Sequence, residues 1–451
     1  MSQYSLVPLR DLILESQNGL SKRSGTDGVN TPVLRLADIT AGKIDQSDPR
    51  EIRLTAKELA KYALQHEDLV CIRVNGSKAL VGRVIQFRAN RAWAYCDHFI
   101  RLRPNQAIVD YRYLAHYFNS QTVRRHIELN MVSSAGQNTV SQGTMLDISV
   151  PCPGLETQRE VVAELEKQFS RLDEAVANLQ RVKANLKRYK ASVLKAAVEG
   201  RLVETEASLA HREGRTFETG EQLLERTLAE RRTKWVGRGK FKAATQSTEV
   251  QGFVVPAGWV IASSEQVCAS VRDGTHNTPD YVSDGVPLVT SKNLEEYGID
   301  FENVKFISES DHDEISKRSG VGVGDVLFAM IGTVGNPCEV QTSKRFSIKN
   351  VGLFKANQEF LNSTYFCYWL LSSPLNKWLD PRLKGTTQKF APLGLLRELP
   401  VLLPPLAEQI RIVAEVDRHL SIVREVEAEV DTNLKRAQAL RQATLSKAFS
   451  S

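Results

Sequence analysis

Cysteine is scarce and scattered in this chain, with six in 451 residues, at Cys71, Cys96, Cys152, Cys268, Cys338 and Cys367. None forms a CxxC pair and no His stands at metal-ligand spacing, which disfavours a disulfide framework or structural zinc and leaves small core thiols. Long apolar runs are also missing. No stretch approaches the roughly 20 apolar residues that a membrane span needs, and the opening MSQYSLVPLRD lacks the apolar core of a signal peptide. The expectation is a cytoplasmic protein without membrane association. Neither sign of charge dominates: the formal net charge is +6, with 59 Lys and Arg against 53 Asp and Glu. Such a balance permits nucleic-acid binding without demanding it.

Catalytic motifs are missing as well. A base methyltransferase that binds its own cofactor needs a glycine-rich loop and an Asn-Pro-Pro-aromatic turn to stack a flipped base. The nearest approach, Asn336-Pro337-Cys338-Glu339, has no stacking aromatic. Gly320-Val321-Gly322-Val323-Gly324 lacks the Lys-Ser/Thr of a phosphate-cradling loop and reads as a turn before a strand. No nuclease-like Asp…Glu-x-Lys cluster can be placed.

What is present is a globular composition, 42% hydrophobic and 25% charged, on a chain long enough for two or three domains. The charges are unevenly distributed. Residues 1–150 carry 19 basic against 14 acidic side chains, and residues 251–404 carry 14 against 17. Contacts with an anionic partner by the later segment must then come from a local patch.

An internal repeat organises the chain. Leu155, Gln158, Val162, Ala163 and Glu164 recur without a gap as Leu406, Gln409, Val413, Ala414 and Glu415, a spacing of 251 residues. At that spacing Gln137 meets Gln388, Pro153 meets Pro404 and Leu194 meets Leu445. Upstream the copies drift by a few residues: Pro32-Val33-Leu34 answers Pro287-Leu288-Val289, and Asp68-Leu69-Val70 answers Asp325-Val326-Leu327. The unit is a β-rich domain of about 150 residues followed by a helix, occurring twice.

The helices carry the clearest periodicity. Leu165, Phe169, Leu172, Val176, Leu179, Leu186 and Val193 recur three or four residues apart, interrupted by Lys183, and predict a helix over 157–199 ended by Gly200. Val416, Leu420, Val423, Val430, Leu434 and Ala437, interrupted by Glu427, predict the second. Each apolar stripe is too narrow to be buried alone, so pairing is the economical solution, with packing of each helix on its own domain as the alternative. Between the copies, residues 202–250 form a polar connector with a predicted helix over 218–232. The domain scheme is 1–153, 154–250, 251–404 and 405–451, in an α+β fold with the two helices paired as an antiparallel coiled coil.

Two kinds of segment look built to touch a ligand. Asp273-Gly274-Thr275-His276-Asn277-Thr278-Pro279-Asp280-Tyr281 is a long polar loop, and Lys384-Gly385-Thr386-Thr387-Gln388-Lys389-Phe390 is matched in the first copy by residues 133–139. Small residues allow close backbone approach, while Gln, Asn, Thr and Lys reach base edges or phosphates.

The string from Asp273 to Tyr281 with Gly285-Val286-Pro287 resembles the opening of target-recognition domains in specificity (S) subunits of type I restriction-modification enzymes. Leu403-Pro404-Pro405-Leu406-Ala407-Glu408-Gln409-Ile410-Arg411-Ile412-Val413 resembles that family's best-known signature. Residues 194–202 and 222–226 are similar to the end of its central helix and to its connector. The first copy departs from the signature, with Cys152-Pro153-Gly154-Leu155-Glu156-Thr157 in its place.

The resemblance implies a non-catalytic, DNA-binding recognition subunit reading a bipartite double-stranded site, one half-site per domain. It also implies two modification subunits as partners, which bind S-adenosylmethionine and methylate adenine N6, and restriction subunits using ATP and Mg; this chain itself would hold no cofactor or metal. A helix of about 43 residues, some 65 Å long, would space the readers. The candidate DNA contacts are Arg35, Arg73, Asn75, Lys78, Gln137 and Asn138 in the first domain. In the second they are His276, Lys292, Asn293, Lys384, Thr387, Gln388 and Lys389. Candidate pairing residues are Leu165, Leu172, Leu179, Leu186, Val416, Leu420, Val423 and Leu434. A non-catalytic coiled-coil scaffold with two domains for non-DNA partners is the alternative.

Overall fold

The computed structural model describes residues 4–40, 42–88, 91–236, 241–246, 254–295 and 298–450. Its contacts divide the chain into two compact units, residues 1–181 with 430–451, and residues 182–429. Each unit is mixed α and β.

The first unit contains α1 (Tyr111–Phe118), α2 (Gln121–Asn130), capped by Ser120, and the greater part of α3 (Leu155–Val198). Its central sheet holds β1 (Ile13–Asn18), β3 (Leu69–Ile72), β4 (Val84–Gln86) and β5 (Phe99–Pro104) in the order β1-β5-β3-β4, all antiparallel. β2 (Val29–Leu34) lies in a second sheet between Glu51–Leu54 and Ala94–Tyr95. The hairpin of β6 (Val132–Ser134) and β7 (Gln137–Thr139) joins Val74–Asn75. The second unit repeats this plan. β8 (Cys268–Asp273), β10 (Val326–Ala329), β11 (Gly335–Glu339) and β12 (Val351–Ala356) run in the order β8-β12-β10-β11, and β9 (Val286–Thr290) lies between Lys305–Ile307 and Ser347–Lys349.

The connector helices are α4 (Glu206–Glu213) and α5 (Gly220–Thr233), started by Thr205 and by the Thr219/Gln222 capping box. The second lies within two residues of its predicted bounds; the first went unpredicted because its pattern is short and mostly polar. The last helix is α6 (Leu406–Ser450).

The two long helices, 44 and 45 residues, pack together as their stripes require. In the first unit Val162, Leu165 and Phe169 share a core with Leu445, Phe449, Tyr113 and Tyr117. Phe449 meets both tyrosine rings edge-on at 5.1 Å, Arg441 lies over Phe169 at 4.4 Å, and Arg441 pairs with Asp173 at 2.7 Å. In the second unit Val193, Leu194, Ala197 and Val198 share a core with Ile412, Val416, Leu420 and Trp259. Each helix therefore packs its first turns on the β-rich domain that precedes it and its last turns on the other one. Both readings of the stripes hold at once. Leu172, Leu179, Leu186 and Leu434 are only half-buried, whereas Val416, Leu420 and Val423 are buried.

The repeated glutamine now has a physical role. Gln158 and Gln409 are both fully buried. Each accepts a backbone N–H at 2.8 Å, from Asp110 and Asn362 respectively. Each donates to two carbonyls, of Ile108 and Pro153 in one unit and of Phe360 and Pro404 in the other. Glu408, where the first copy has Thr157, accepts from Trp259 Nε1 at 2.9 Å and from the Glu206 N–H at 2.8 Å, so it ties the start of α4 to the start of α6.

His116 gives the first unit a pH dependence. Burial, with Arg441 and Arg112 nearby, lowers its pKa from 6.5 to about 4, and its Nε2 has no hydrogen-bond partner. Below pH 6.5 the unfolded chain takes up a proton that the folded chain refuses until near pH 4, so stability falls as the pH drops through that window. Urea unfolding followed by amide protection in the first unit should show the wild type losing about 2–3 kcal/mol more than His116→Phe between pH 7 and 4.5. Parallel pH profiles would show that His116 is charged in the fold.

Candidate nucleic-acid interface

The loops holding the sequence-derived candidates all leave one rim of the central sheet in each unit. In the first, Ile100 pairs with Asn18 and Phe99 with Ile72, which sets the end of β1, the end of β3 and the start of β5 side by side. The loops that follow Asn18 and Ile72, and the Asp97-His98 turn, emerge there together. The end of β2 reaches the same rim, because Cys96 N–H donates to Leu34 O at 3.0 Å, and Arg35 comes next. The β6–β7 hairpin docks there too, with Asn138 opposite Asn75. Ala135 and Gly136 form its tip, both with positive φ.

The second unit repeats the convergence. Gly352 pairs with Asp273 and Ala329 with Val351, so the loops after β8 and β10 emerge beside Asn350. β9 ends at the same place, and Ser291 Oγ donates to Asn350 O at 3.2 Å. Residues 384–390 form a small exposed hairpin closed by Lys384 and Phe390, whose backbones exchange hydrogen bonds of 3.0 and 2.8 Å; Gly332 N–H donates to Lys389 O at 3.0 Å. This hairpin occupies the place that β6–β7 holds in the first unit, as the pairing of Gln137 with Gln388 in the repeat implies.

At the level of side chains the candidates separate into two groups. Gln137, Lys78, His276, Lys292, Lys384, Thr387, Gln388 and Lys389 are exposed. Others are engaged within the fold. Asn138 is buried, accepting from Ser133 Oγ at 2.6 Å and donating to Asn75 O and Gly76 O at 3.3 and 3.0 Å. Asn293 is buried and accepts the Thr290 N–H at 2.9 Å, as Asp38 accepts that of Arg35 at 2.7 Å; both close the turn after their strand. Arg35 also pairs its guanidinium with Asp38, which raises its pKa through that hydrogen bond. Asn75 Oδ1 accepts from Ser77 N–H, and Arg73 Nη1 donates to Asp97 O at 3.3 Å.

His276 is held from both sides, Nδ1 2.9 Å from Asn350 Oδ1 and Nε2 3.0 Å from Asp273 Oδ2. Asp273 is itself buried and ion-paired with Arg318. Asn350 has a left-handed φ of 54°, so this polar chain rests on a constrained backbone.

Several rim residues escaped the sequence reading: Lys22, Arg23 and His98 in the first unit, Lys349 and Asn350 in the second. One signal could have found them. Gly19 and Gly274 stand at the same spacing as Pro32 and Pro287, and a Cβ at either would lie 2.0 Å from Cys96 O or 2.3 Å from Ile348 O. Only glycine lets the chain pass so close to its neighbour before the polar loop begins.

Cys96, Asp97 and His98 place three potential metal-ligand atoms within 4.8 Å, the one such group among the described residues. Burial raises the Cys96 pKa, and Asp97 pairs with Arg23 and His98, so these groups already satisfy one another. The other cysteines are free, and all but Cys152 are buried.

No family model matches the chain. Against curated proteins it is 35% identical over 192 residues to the type I restriction enzyme StySPI specificity subunit of Salmonella potsdam, covering 42% of each chain. It is 27% identical over 203 residues to the type I restriction enzyme EcoKI specificity subunit of Escherichia coli K12, covering 45% of this chain and 44% of that one.

Over these regions the chain is similar to type I restriction enzyme specificity subunits.

The matched regions span less than half the length of those two relatives. The fold is similar to that of two solved structures over 99% of the chain. A chain from a structure of the type I R-M system matches with a TM-score of 0.66 at 17% identity, covering 99% of this chain and 97% of that one. The HsdS subunit from Thermoanaerobacter tengcongensis matches with a TM-score of 0.52 at 16% identity, covering 99% and 96%. No helix among the described residues is long and apolar enough to cross a membrane.

Proposed function

We propose that the chain is the non-catalytic DNA-recognition subunit of a type I restriction-modification enzyme, acting in the cytoplasm and reading a bipartite double-stranded site. The observation that carries this is the duplicated rim: two sheets of the same strand order each gather a glycine-entered polar loop, a strand-end turn and an exposed hairpin at one edge. Domains 1–153 and 251–404 each read one half-site on this reading. The exposed side chains Lys78, Gln137, His276, Lys292, Lys384, Thr387, Gln388 and Lys389 meet bases or phosphates. Arg35, Arg73, Asn75, Asn138 and Asn293 shape the loops that carry them.

Chemistry is left to partners: two modification subunits with S-adenosylmethionine, and restriction subunits with ATP and Mg. The paired helices, with segments 154–250 and 405–451, hold those partners and set the gap between half-sites. The first test is retention of duplex DNA by the purified chain with its modification partner. Affinity should fall linearly in log–log form with salt, and retention that is absent or indifferent to salt would refute the reading.

A further inference from the structure

We propose that an arginine-lined cleft in the first unit, beside the loop 73–83, holds a DNA backbone phosphate. The inference rests on the DNA-binding reading and adds a site to it that lies off the candidate rim loops.

The cleft has a volume of about 790 Å³ and is lined by Arg83, Arg124 and Arg125, with Glu128 as its acidic member. Arg124 is committed to structure: Nη1 donates to Val81 O at 2.5 Å, Nη2 to Lys78 O at 3.3 Å and Nε to Glu128 at 3.2 Å. It thereby pins the loop that carries Lys78 and takes up the one nearby carboxylate. Arg83 uses only its Nε, on Ala79 O at 2.9 Å. Its terminal nitrogens, and the whole exposed guanidinium of Arg125, have no protein partner among the described residues.

The N-terminus of α2 opens on the same cleft through Gln121 and Thr122. The first-turn N–H groups of a ten-residue helix add positive potential to that of the arginines. Burial, against the opposing pull of Glu128 and with the like charge of Arg83 nearby, lowers the Arg124 pKa, so the single carboxylate does not offset the cluster of arginines. Such a site wants an anion that accepts several hydrogen bonds.

A phosphate of the duplex fits better than a partner's carboxylate because of position. Arg83 lies at the start of the edge strand β4, directly after the loop that bears Arg73, Asn75 and Lys78. DNA-binding proteins fix their register on the duplex by phosphate contacts around the base-reading loops.

The test uses the full chain with its modification partner and a 30-bp random-sequence duplex, comparing wild type, Arg83→Ala/Arg125→Ala and Arg83→Lys/Arg125→Lys. Both arginines are exposed, so the thermal midpoint should stay unchanged and serves as the folding control. The slope of log K against log salt should become shallower by about 0.9 in the Ala variant, the value for one lost phosphate contact. The Lys variant should keep the wild-type slope, and the sequence of methylated sites should be unaltered in both. A wild-type slope in an Ala variant that still binds duplex overturns the phosphate site. Loss of the modification partner with an unchanged DNA slope also overturns it, and reassigns the cleft to an acidic protein surface. A wild type that shows no salt-dependent binding overturns the DNA reading itself, and this site with it.

Discussion

Replacing Gln388 and Lys389 together with Ala is expected to relax one half-site of the methylated sequence and leave the other unchanged. Both side chains are exposed on the hairpin 384–390, held by main-chain hydrogen bonds between Lys384 and Phe390 and from Gly332 to Lys389. The substitution therefore removes side-chain chemistry without moving the backbone. A lost base contact costs about 1–3 kcal/mol, so discrimination at the affected positions should fall on the order of 10- to 100-fold. Sequencing methylated sites shows the outcome directly. The corresponding change at Gln137 should relax the opposite half-site. If either substitution relaxes both, the domains do not read independently; if neither has any effect, the hairpins are not readers.

The second large effect concerns the paired helices. Val416→Asp should unfold the second unit, because Val416 is fully buried among Trp259, Leu194 and Leu420 and an unpaired buried carboxylate costs several kcal/mol. Leu179→Asp should be far milder, about 1 kcal/mol, since Leu179 is half-buried and the new carboxylate can reach water. Amide exchange should report lost protection across residues 182–429 for Val416→Asp and near-native protection for Leu179→Asp. Equal protection in the two variants would mean that the helix ends do not carry the packing.

The contrast also shows what periodicity could and could not reveal. Spacings of three and four marked every residue of the stripe alike. The sequence has no means of showing that Leu172, Leu179 and Leu186 stay half-buried, whereas Val162, Leu165, Leu194 and Val416 are buried in the cores that hold the β-rich domains.

The repeat was the most informative feature of the chain. Gln158 and Gln409 stood out by spacing alone, and the structure shows why that side chain suits that position: a buried amide that closes one N–H and two carbonyls in each unit. The equivalence of the hairpins followed from Gln137 and Gln388 in the same way. Reading individual contacts was harder. Asn138 and Asn293 have the right chemistry to touch bases, yet both turn inward to close a hairpin and a turn. Composition cannot separate an amide that faces solvent from one that satisfies the backbone. Conversely, no motif marks Lys349 and Asn350; they join the rim because β12 pairs with β8 just beyond them. The α4 helix stayed hidden because its stability comes from Thr205, Gly214 and contacts with Glu408, not from an apolar stripe.

The most direct test of the account is to co-express the chain with its modification partner, expose the complex to a random duplex library, and sequence the methylated products. The account predicts two short defined blocks separated by a fixed number of unspecified bases. A single continuous block, or methylation without sequence preference, would contradict it.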